Sequence, residues 1–436
     1  MNDRSDAAGP RGFGYRWTIV ALLFFATTIN YADRQVLGLL APTLQRELAW
    51  NETDYGAIVS WFSLTYGIGL LVMGRVIDRI GVRRGYAGSI IVWSLAAMSH
   101  ALARTVTGFS VARAALGLGE SGNFPSAIKT VAEWFPKRER ALAIGVFNAG
   151  SNVGAIVVPM TVPWIALTWG WQAAFIATGA IGFLWLAFWL AVYREPSRHP
   201  RLSAAELAHI RSDPPDAPNK LSWRELIAYR QTWAFAIGKA LTDPIWLFYL
   251  FWLPKFLDAK WGVHLETIAL PLIAIYLVAD VGSIGGGWFS SALIARGWTV
   301  NRSRKTALLV AALLIVPTMF APLADSLWMA VAIVAVAAAA HQWWSANLFT
   351  TVSDMFPRQA VGSVTGIGGF TGAMSAMLFQ RLTGWILDVS HSNYQIVFVI
   401  CGLAYVTAFG LIQLLVPGMA PIDERSLDRP IAETPR

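Results

Sequence analysis

A single cysteine, Cys401, stands among the 436 residues, so no disulfide can form within the chain. A lone thiol in an apolar stretch reads as a small packing residue rather than a reactive one. Charge is also scarce, at 14% of residues, where a soluble domain carries about 25%. There is no Gly-x-x-x-x-Gly-Lys-Ser/Thr loop, which argues against ATP as an energy source. No His/Cys cluster has metal-ligand spacing, so neither a metal nor another cofactor is expected. The Gly-x-Gly at Gly117 and Gly119 lies inside an apolar segment rather than after a strand, so a dinucleotide reading fails.

Apolar residues are abundant: 56% of the chain, with a mean hydropathy of +0.50. They fall in blocks of about 20, the length that crosses a bilayer as a helix, so the chain reads as a polytopic all-α membrane protein. The 21 tryptophans suit interfacial belts and stacking surfaces. The net charge of +8 does not point to nucleic acid, because the basic residues lie between the apolar blocks. The polar stretch Met1 to Arg16 lacks the order of a cleaved signal, so the first block is expected to stay as an uncleaved anchor.

Twelve spans are expected, at roughly 17–40, 55–77, 85–104, 107–132, 141–164, 171–193, 232–254, 268–292, 306–323, 327–350, 362–386 and 393–416. The polar segment 194–230 holds Pro196, Pro200, Pro214, Pro215 and Pro218, and reads as a linker with one short amphipathic helix from Ala204 to Arg211. The organisation is therefore a six-helix half (1–193), a linker (194–230), a second half (231–416) and a tail (417–436). Cations concentrate in alternate loops: Arg79, Arg83 and Arg84; Lys137, Arg138 and Arg140; Arg296, Arg302, Arg304 and Lys305. The positive-inside tendency then places both termini in the cytoplasm. The expected location is the cytoplasmic (inner) membrane, and the expected state a monomer.

An internal repeat supports two halves. Phe135-Pro136-Lys137 followed by Gly145 matches Phe356-Pro357-Arg358 followed by Gly366, at one constant spacing, and Glu133 falls on Asp354. Both copies leave an even-numbered span and enter a Gly-rich one, so the halves run in the same direction, with a substrate site expected between them.

Charges inside the apolar blocks carry the functional argument. Asp33-Arg34 lies in span one, and Arg113 with Glu120 in span four. Charge at membrane depth is costly and marks a substrate or ion path. The arginines suit an anion and the acids suit a proton. Arg113 and Glu120 are seven residues apart, two helical turns, and so share a face. The alternative is a static buried ion pair that locks helices together.

At the end of span two, Gly74-Arg75-Val76-Ile77-Asp78-Arg79-Ile80-Gly81-Val82-Arg83-Arg84 resembles the signature loop of the major facilitator superfamily. Such a loop gates by a salt bridge, or a helix cap from the other half, that exists in one conformation only. Asn30-Tyr31-Ala32-Asp33-Arg34 and the run from Arg113 to Pro125 resemble the anion:cation symporter family within that superfamily. The resemblance implies that Arg34 binds a substrate carboxylate, that Asp33 and Glu120 carry coupling protons, and that Arg113 pairs with Glu120. Strings opening span seven (Gln231 to Lys239) and in span ten (His341 to Thr350) are similar to hexuronate transporters. A uronate needs one strong cation, several amides or hydroxyls and an aromatic face. Arg34, Tyr31, Tyr66, Asn123, Asn148, Gln342 and Asn347 would provide these. Lys239 either contacts substrate or pairs with Asp243 one turn on, and His341 is either titratable or a satisfied interior histidine. Gly368-Gly369 stands where related galactonate carriers place an asparagine, so Gly362, Gly366, Gly368, Gly369 and Gly372 read as packing or hinge positions.

The expectation is a proton symporter for hexuronates, not an enzyme. Its partners would be a small organic anion, protons and lipid. The rivals are the same machine for an aldonate, aldarate or aromatic acid, a membrane sensor, and a cationic-drug exporter, which would not need buried arginines.

Overall fold

The computed structural model describes residues 14–212, 223–356, 358–420 and 422. Expectations for Met1 to Phe13, Pro214, Pro215, Pro218, Pro357 and most of the tail lie outside these residues. So do those for the side chains of Lys137, Arg138, Arg140 and Arg358.

Helices account for nearly all of the described chain. They are α1 (Tyr15–Leu48), α2 (Glu52–Ile80), α3 (Val82–Ser99), α4 (Val106–Glu120), α5 (Asn123–Trp134), α6 (Lys137–Trp169) and α7 (Trp171–Val192) in the first half. Then follow the short α8 (Ala204–Ile210) and α9 (Trp223–Leu226). The second half has α10 (Arg230–Trp261), α11 (Ala269–Ala295), α12 (Val300–Ile315) continued by a 3₁₀ stretch to Leu323, α13 (Leu327–Met355), α14 (Arg358–Val389) and α15 (Gln395–Leu415). With α4 and α5 forming one crossing, the bundle has the twelve crossings expected.

Nine described helices are long and apolar enough to cross a membrane by themselves. Of the rest, α1 is diluted by Asn30, Asp33, Arg34 and Gln35, α3 opens with Arg83 and Arg84, and α4 stops after 15 residues. Span four is thus two helices and not one. The backbone breaks at Ser121 and Gly122, where Pro125 has no N–H for the Ser121 carbonyl. There α3 also packs closely: a Cβ on Gly119 would meet the Trp93 backbone at 2.6 Å, and one on Gly122 the Ser89 hydroxyl at 1.9 Å.

The repeat is visible in the helix lengths: 33 residues in α6 against 32 in α14, and 22 in α7 against 21 in α15. Phe135 and Phe356 are both buried, and each closes the preceding helix, donating to Val131 and Val352 respectively. The 194–230 segment does more than connect. Ser203 caps α8, and Glu206 on that helix accepts from the N–H groups of Tyr15 and Arg16 at 3.1 Å each. Arg16 bridges Glu206 and Glu139, which ties the linker to the first turns of α1 and α6.

The halves meet through α1 with α10, α2 with α14, and α6 with α11. Contact is tightest at the end distal to the described termini. There the Tyr55 hydroxyl donates to the Phe251 carbonyl at 2.7 Å and Lys255 pairs with Glu52, both across the halves, while Trp252 Nε1 donates to Gln380 within the second half. Gly38, Gly56 and Gly384 have backbone of the other half within 2.4–2.7 Å of where a Cβ would stand. At the proximal end, Gly74, Gly145, Gly285, Gly287, Gly362 and Gly366 have nothing among the described residues within 4 Å of where a Cβ would stand. The halves are pressed together distally and not at these proximal glycines.

Asp388 completes the seal. Its carboxylate accepts from the N–H of Glu52 at 2.9 Å and of Thr53 at 2.8 Å, capping α2 from the other half. An anion at a helix N-terminus contributes about 0.3–1 kcal/mol, and up to about 2 kcal/mol where partly buried. Asp388→Asn is expected to shift the sealed-to-open ratio by up to about 30-fold, read as a longer distance between spin labels on the distal ends of α2 and α14. An unchanged distance distribution would refute this.

Candidate functional site

Two poles face the plane between the halves. The first is built on α1 and α4. Arg34 Nε donates to Glu120 Oε2 at 2.5 Å, with both side chains almost wholly buried. The guanidinium lies in an aromatic collar, 4.9 Å from the ring centre of Tyr31, 5.2 Å from Phe62 and 4.5 Å from Tyr66. An arginine stacked on rings is more weakly hydrated than an ammonium and keeps its fork rigid. Its Nη2 has no partner among the described residues, nor has Glu120 Oε1.

The expected Arg113–Glu120 pair is not what the structure shows. Sharing a helix face brings the two to one region, but Glu120 bonds Arg34 from α1, and Arg113 Nη2 donates to the Arg34 carbonyl at 3.0 Å. Arg113 also lies over Phe62 and, across the halves, Phe251, at 5.7 and 5.5 Å. It braces the backbone that carries Arg34 and touches the residue whose carbonyl helps to seal the distal end. Both oxygens of Asp33 are buried without a partner among the described residues; neighbouring Thr178 gives its hydroxyl to Phe175 instead. The side-chain amides of Asn30 and Gln35 are likewise buried without a partner among those residues. Unpaired polar groups in a dry interior are costly, and where they cluster they call for a ligand, ion or water.

Tight packing holds this pole. A Cβ on Gly117 would stand 2.4 Å from the Phe62 carbonyl and 2.5 Å from the Thr65 hydroxyl, so α4 lies directly against the α2 turn that carries Phe62 and Tyr66.

The second pole lies on α10 and α13. Lys239 pairs with Asp243 at 2.8 Å, and its Nζ sits 4.4 Å from the Phe349 ring centre. His341 is held by the Tyr405 hydroxyl and stacks on Trp246 at 4.9 Å and 9°. His341 thus has the bonded interior place that was one of its two readings.

The remaining candidates separate. Asn148 is exposed and Gln342 half-buried; the Asn148 backbone carbonyl accepts from the Ser151 hydroxyl at 2.7 Å, and neither side-chain amide has a partner among the described residues. Asn123, next to the break in span four, is wholly buried and accepts from the Tyr86 hydroxyl at 2.5 Å. Asn347 spends its amide N–H groups on the carbonyls of Gly286 and Trp343, holding α11 against α13. Each asparagine closes a helix contact with one end of its amide and keeps the other buried without a partner among the described residues: Nδ2 of Asn123 and Oδ1 of Asn347. In the loop, Asp78 pairs with Lys129 of its own half at 2.6 Å, not with the other half. Gly81 takes a φ of 82°, which favours glycine. Arg83 donates to the Leu190 carbonyl at 2.5 Å, while Arg79 and Arg84 are exposed.

Sequence reasoning missed the Glu52–Lys255 pair, Asp388 and the Phe62 face of the collar. Lys255 was visible only as a scattered cation, and nothing local marks its partner.

A two-half, twelve-crossing bundle with a charged pole buried between its halves defines a polytopic membrane protein of the transporter type. The sequence matches the Major Facilitator Superfamily over residues 23–380, and the chain belongs to that family. It is 32% identical over 382 residues to the hexuronate transporter of Escherichia coli K12, covering 86% of this chain and 88% of that one. Identity to the galacturonate transporter of Dickeya chrysanthemi is 34% over 333 residues, 74% of this chain and 96% of the relative. The crystal structure of a D-xylose–proton symporter superimposes with a TM-score of 0.74 at 16% identity, covering 93% of this chain and 99% of that one, which supports the fold alone.

Proposed function

We propose that this chain is a proton-coupled importer of hexuronates such as glucuronate and galacturonate. It would work by alternating access between the halves 1–193 and 231–416, with both termini and the 194–230 segment in the cytoplasm. In this reading the structure is the state open to the cytoplasm. The observation that carries the proposal is the buried pole of two arginines and two acids, in which one Arg34 nitrogen is left without a partner. The pole is neutral when both acids are ionised. A bound carboxylate would make it carry one negative charge, and one proton on Asp33 or Glu120 restores neutrality. Each ligand thereby favours the other, and this positive coupling is symport.

The acid relatives support the substrate class, and the aromatic collar suits a sugar ring. Arg34 would hold the carboxylate with its free Nη2, Tyr31 and Tyr66 would contact the ring, and Asn148, Gln342 and Lys239 would meet hydroxyls. Asp33 and Glu120 would take the proton, Arg113 would position Arg34, and the Gly74 to Arg84 loop would gate. The test is labelled glucuronate and galacturonate uptake into proteoliposomes, with and without an inward proton gradient. Wild type should accumulate at least one of these uronates, while Glu120→Gln should lose gradient-driven accumulation and keep counterflow exchange. Gradient-driven accumulation at the wild-type level by the folded Glu120→Gln protein would overturn the role of Glu120. No saturable uptake of either uronate by wild type would overturn the substrate class.

A further inference from the structure

The second pole contains a cation that is already neutralised. Lys239 and Asp243 pair one turn apart on α10, with Lys239 9% exposed. Helix stability does not explain this pair, because lysine placed N-terminal to the acid at i,i+4 is the weaker order. The neighbouring helix is cut away for the carboxylate: a Cβ on Gly372 of α14 would lie 2.3 Å from Asp243 Oδ2. Across the halves, α1 packs on α10 with Gly38 against the Leu250 carbonyl, so Tyr31 of the Arg34 collar and Asp243, each seven residues back, lie at one depth. The two charged poles therefore belong to one interior region, with the second supplying no net charge.

We infer that Asp243 sets the charge of the substrate this site accepts, admitting sugar acids with one carboxylate and rejecting those with two. The inference rests on the uronate reading above. A monocarboxylate placed on Arg34 presents only hydroxyls, or its C1 oxygen, to the second pole. The Lys239–Asp243 pair can donate to and accept from these without any change of charge. A dicarboxylate brings a second anion to a lysine whose charge is already taken and to a carboxylate that repels it. A buried anion without a counter-charge is strongly disfavoured. Removing the Asp243 charge frees Lys239 to receive it.

Glucarate carries a second carboxylate at C1 and, unlike the pyranose glucuronate, is open-chain, so the charge is read from how its competition changes when the Asp243 charge is removed. The experiment is competition by unlabelled glucarate and unlabelled glucuronate against labelled glucuronate uptake in proteoliposomes. In wild type, half-inhibition should need at least tenfold more glucarate than glucuronate. Asp243→Asn should bring that ratio to one or below, and Lys239→Met/Asp243→Asn should restore discrimination. Asp243→Ser carries the same prediction if the asparagine variant does not fold. Equal competition in wild type, or an unchanged ratio in an active Asp243 variant, overturns the role of Asp243 and leaves the uronate reading intact. Absence of glucuronate uptake by wild type overturns glucuronate as substrate and this inference with it.

Discussion

Arg34→Met is expected to abolish uptake and to destabilise the protein, whereas Arg34→Met/Glu120→Gln should recover the stability and not the transport. Arg34 and Glu120 are 2.5 Å apart with side chains 6% and 0% exposed. Removing the arginine alone leaves a carboxylate in a dry interior, a loss of about 3–5 kcal/mol in comparable buried pairs. Replacing both partners by uncharged groups of similar volume is often neutral, because the desolvation cost disappears with the charges. Transport responds differently. Without the Arg34 guanidinium the carboxylate loses the cation proposed to hold it, and Arg113 is placed to brace the α1 backbone rather than to replace it, so neither variant should show saturable uptake above empty liposomes. Arg34→Lys keeps the charge but loses the planar fork and its stacking on Tyr31, Phe62 and Tyr66, so it should fold and still transport at least tenfold more slowly. Thermal unfolding in detergent, followed beside uptake, separates the two effects. If the double variant is as unstable as the single one, the ion pair is not what holds α1 to α4. If Arg34→Met transports at the wild-type rate, the site lies elsewhere.

Twelve crossings were legible because each apolar block was long enough to be counted, and the two halves because Phe135-Pro136 and Phe356-Pro357 recur at constant spacing. The break between Glu120 and Asn123 is marked by Pro125, which has no N–H for the Ser121 carbonyl. The close approach of Trp93 and Ser89 from α3 is not marked, because local periodicity does not record it. For the same reason the sequence brought Arg113 and Glu120 to one face but could not choose their partners. Seven residues set a direction on a helix, while the oxygen that a guanidinium reaches is set by the neighbouring helix. Asn123 and Asn347 read as sugar ligands because an amide in an apolar span invites that reading. Half of each amide satisfies Tyr86 or the carbonyls of Gly286 and Trp343, a need that arises only once helices pack, and Asn123 Nδ2 and Asn347 Oδ1 stay without a partner among the described residues. The Glu52–Lys255 pair joins residues about 200 positions apart at opposite span ends, and no local pattern signals it.

Gly366→Leu is expected to leave the protein folded yet to reduce transport at least tenfold, and Gly145→Leu/Gly366→Leu to abolish it. The argument lies in the contrast between the two ends of the bundle. Distally, a Cβ on Gly38, Gly56 or Gly384 would stand 2.4–2.7 Å from backbone of the opposite half. Proximally, Gly145 and its repeat partner Gly366 meet nothing among the described residues within 4 Å. Small residues at helix crossings allow backbones to approach closely, and that is their use in membrane bundles. Proximal glycines standing in open space therefore suit an approach made in another conformation. A leucine added there costs nothing in the present state, but overpacks the closed one by about 1–3 kcal/mol per site. Each site thus shifts the equilibrium about 5- to 150-fold toward the proximally open form, and cycling slows accordingly. Gly384→Leu should act in the opposite direction, since its neighbour, the Glu52 carbonyl, is already in contact. With Cys401 replaced by serine, labelling of a cysteine placed at exposed Asn148 should rise in Gly366→Leu and fall in Gly384→Leu. Wild-type transport by Gly145→Leu/Gly366→Leu would mean that the proximal ends never close on these glycines, and the rocking motion would have to be sought along other helices.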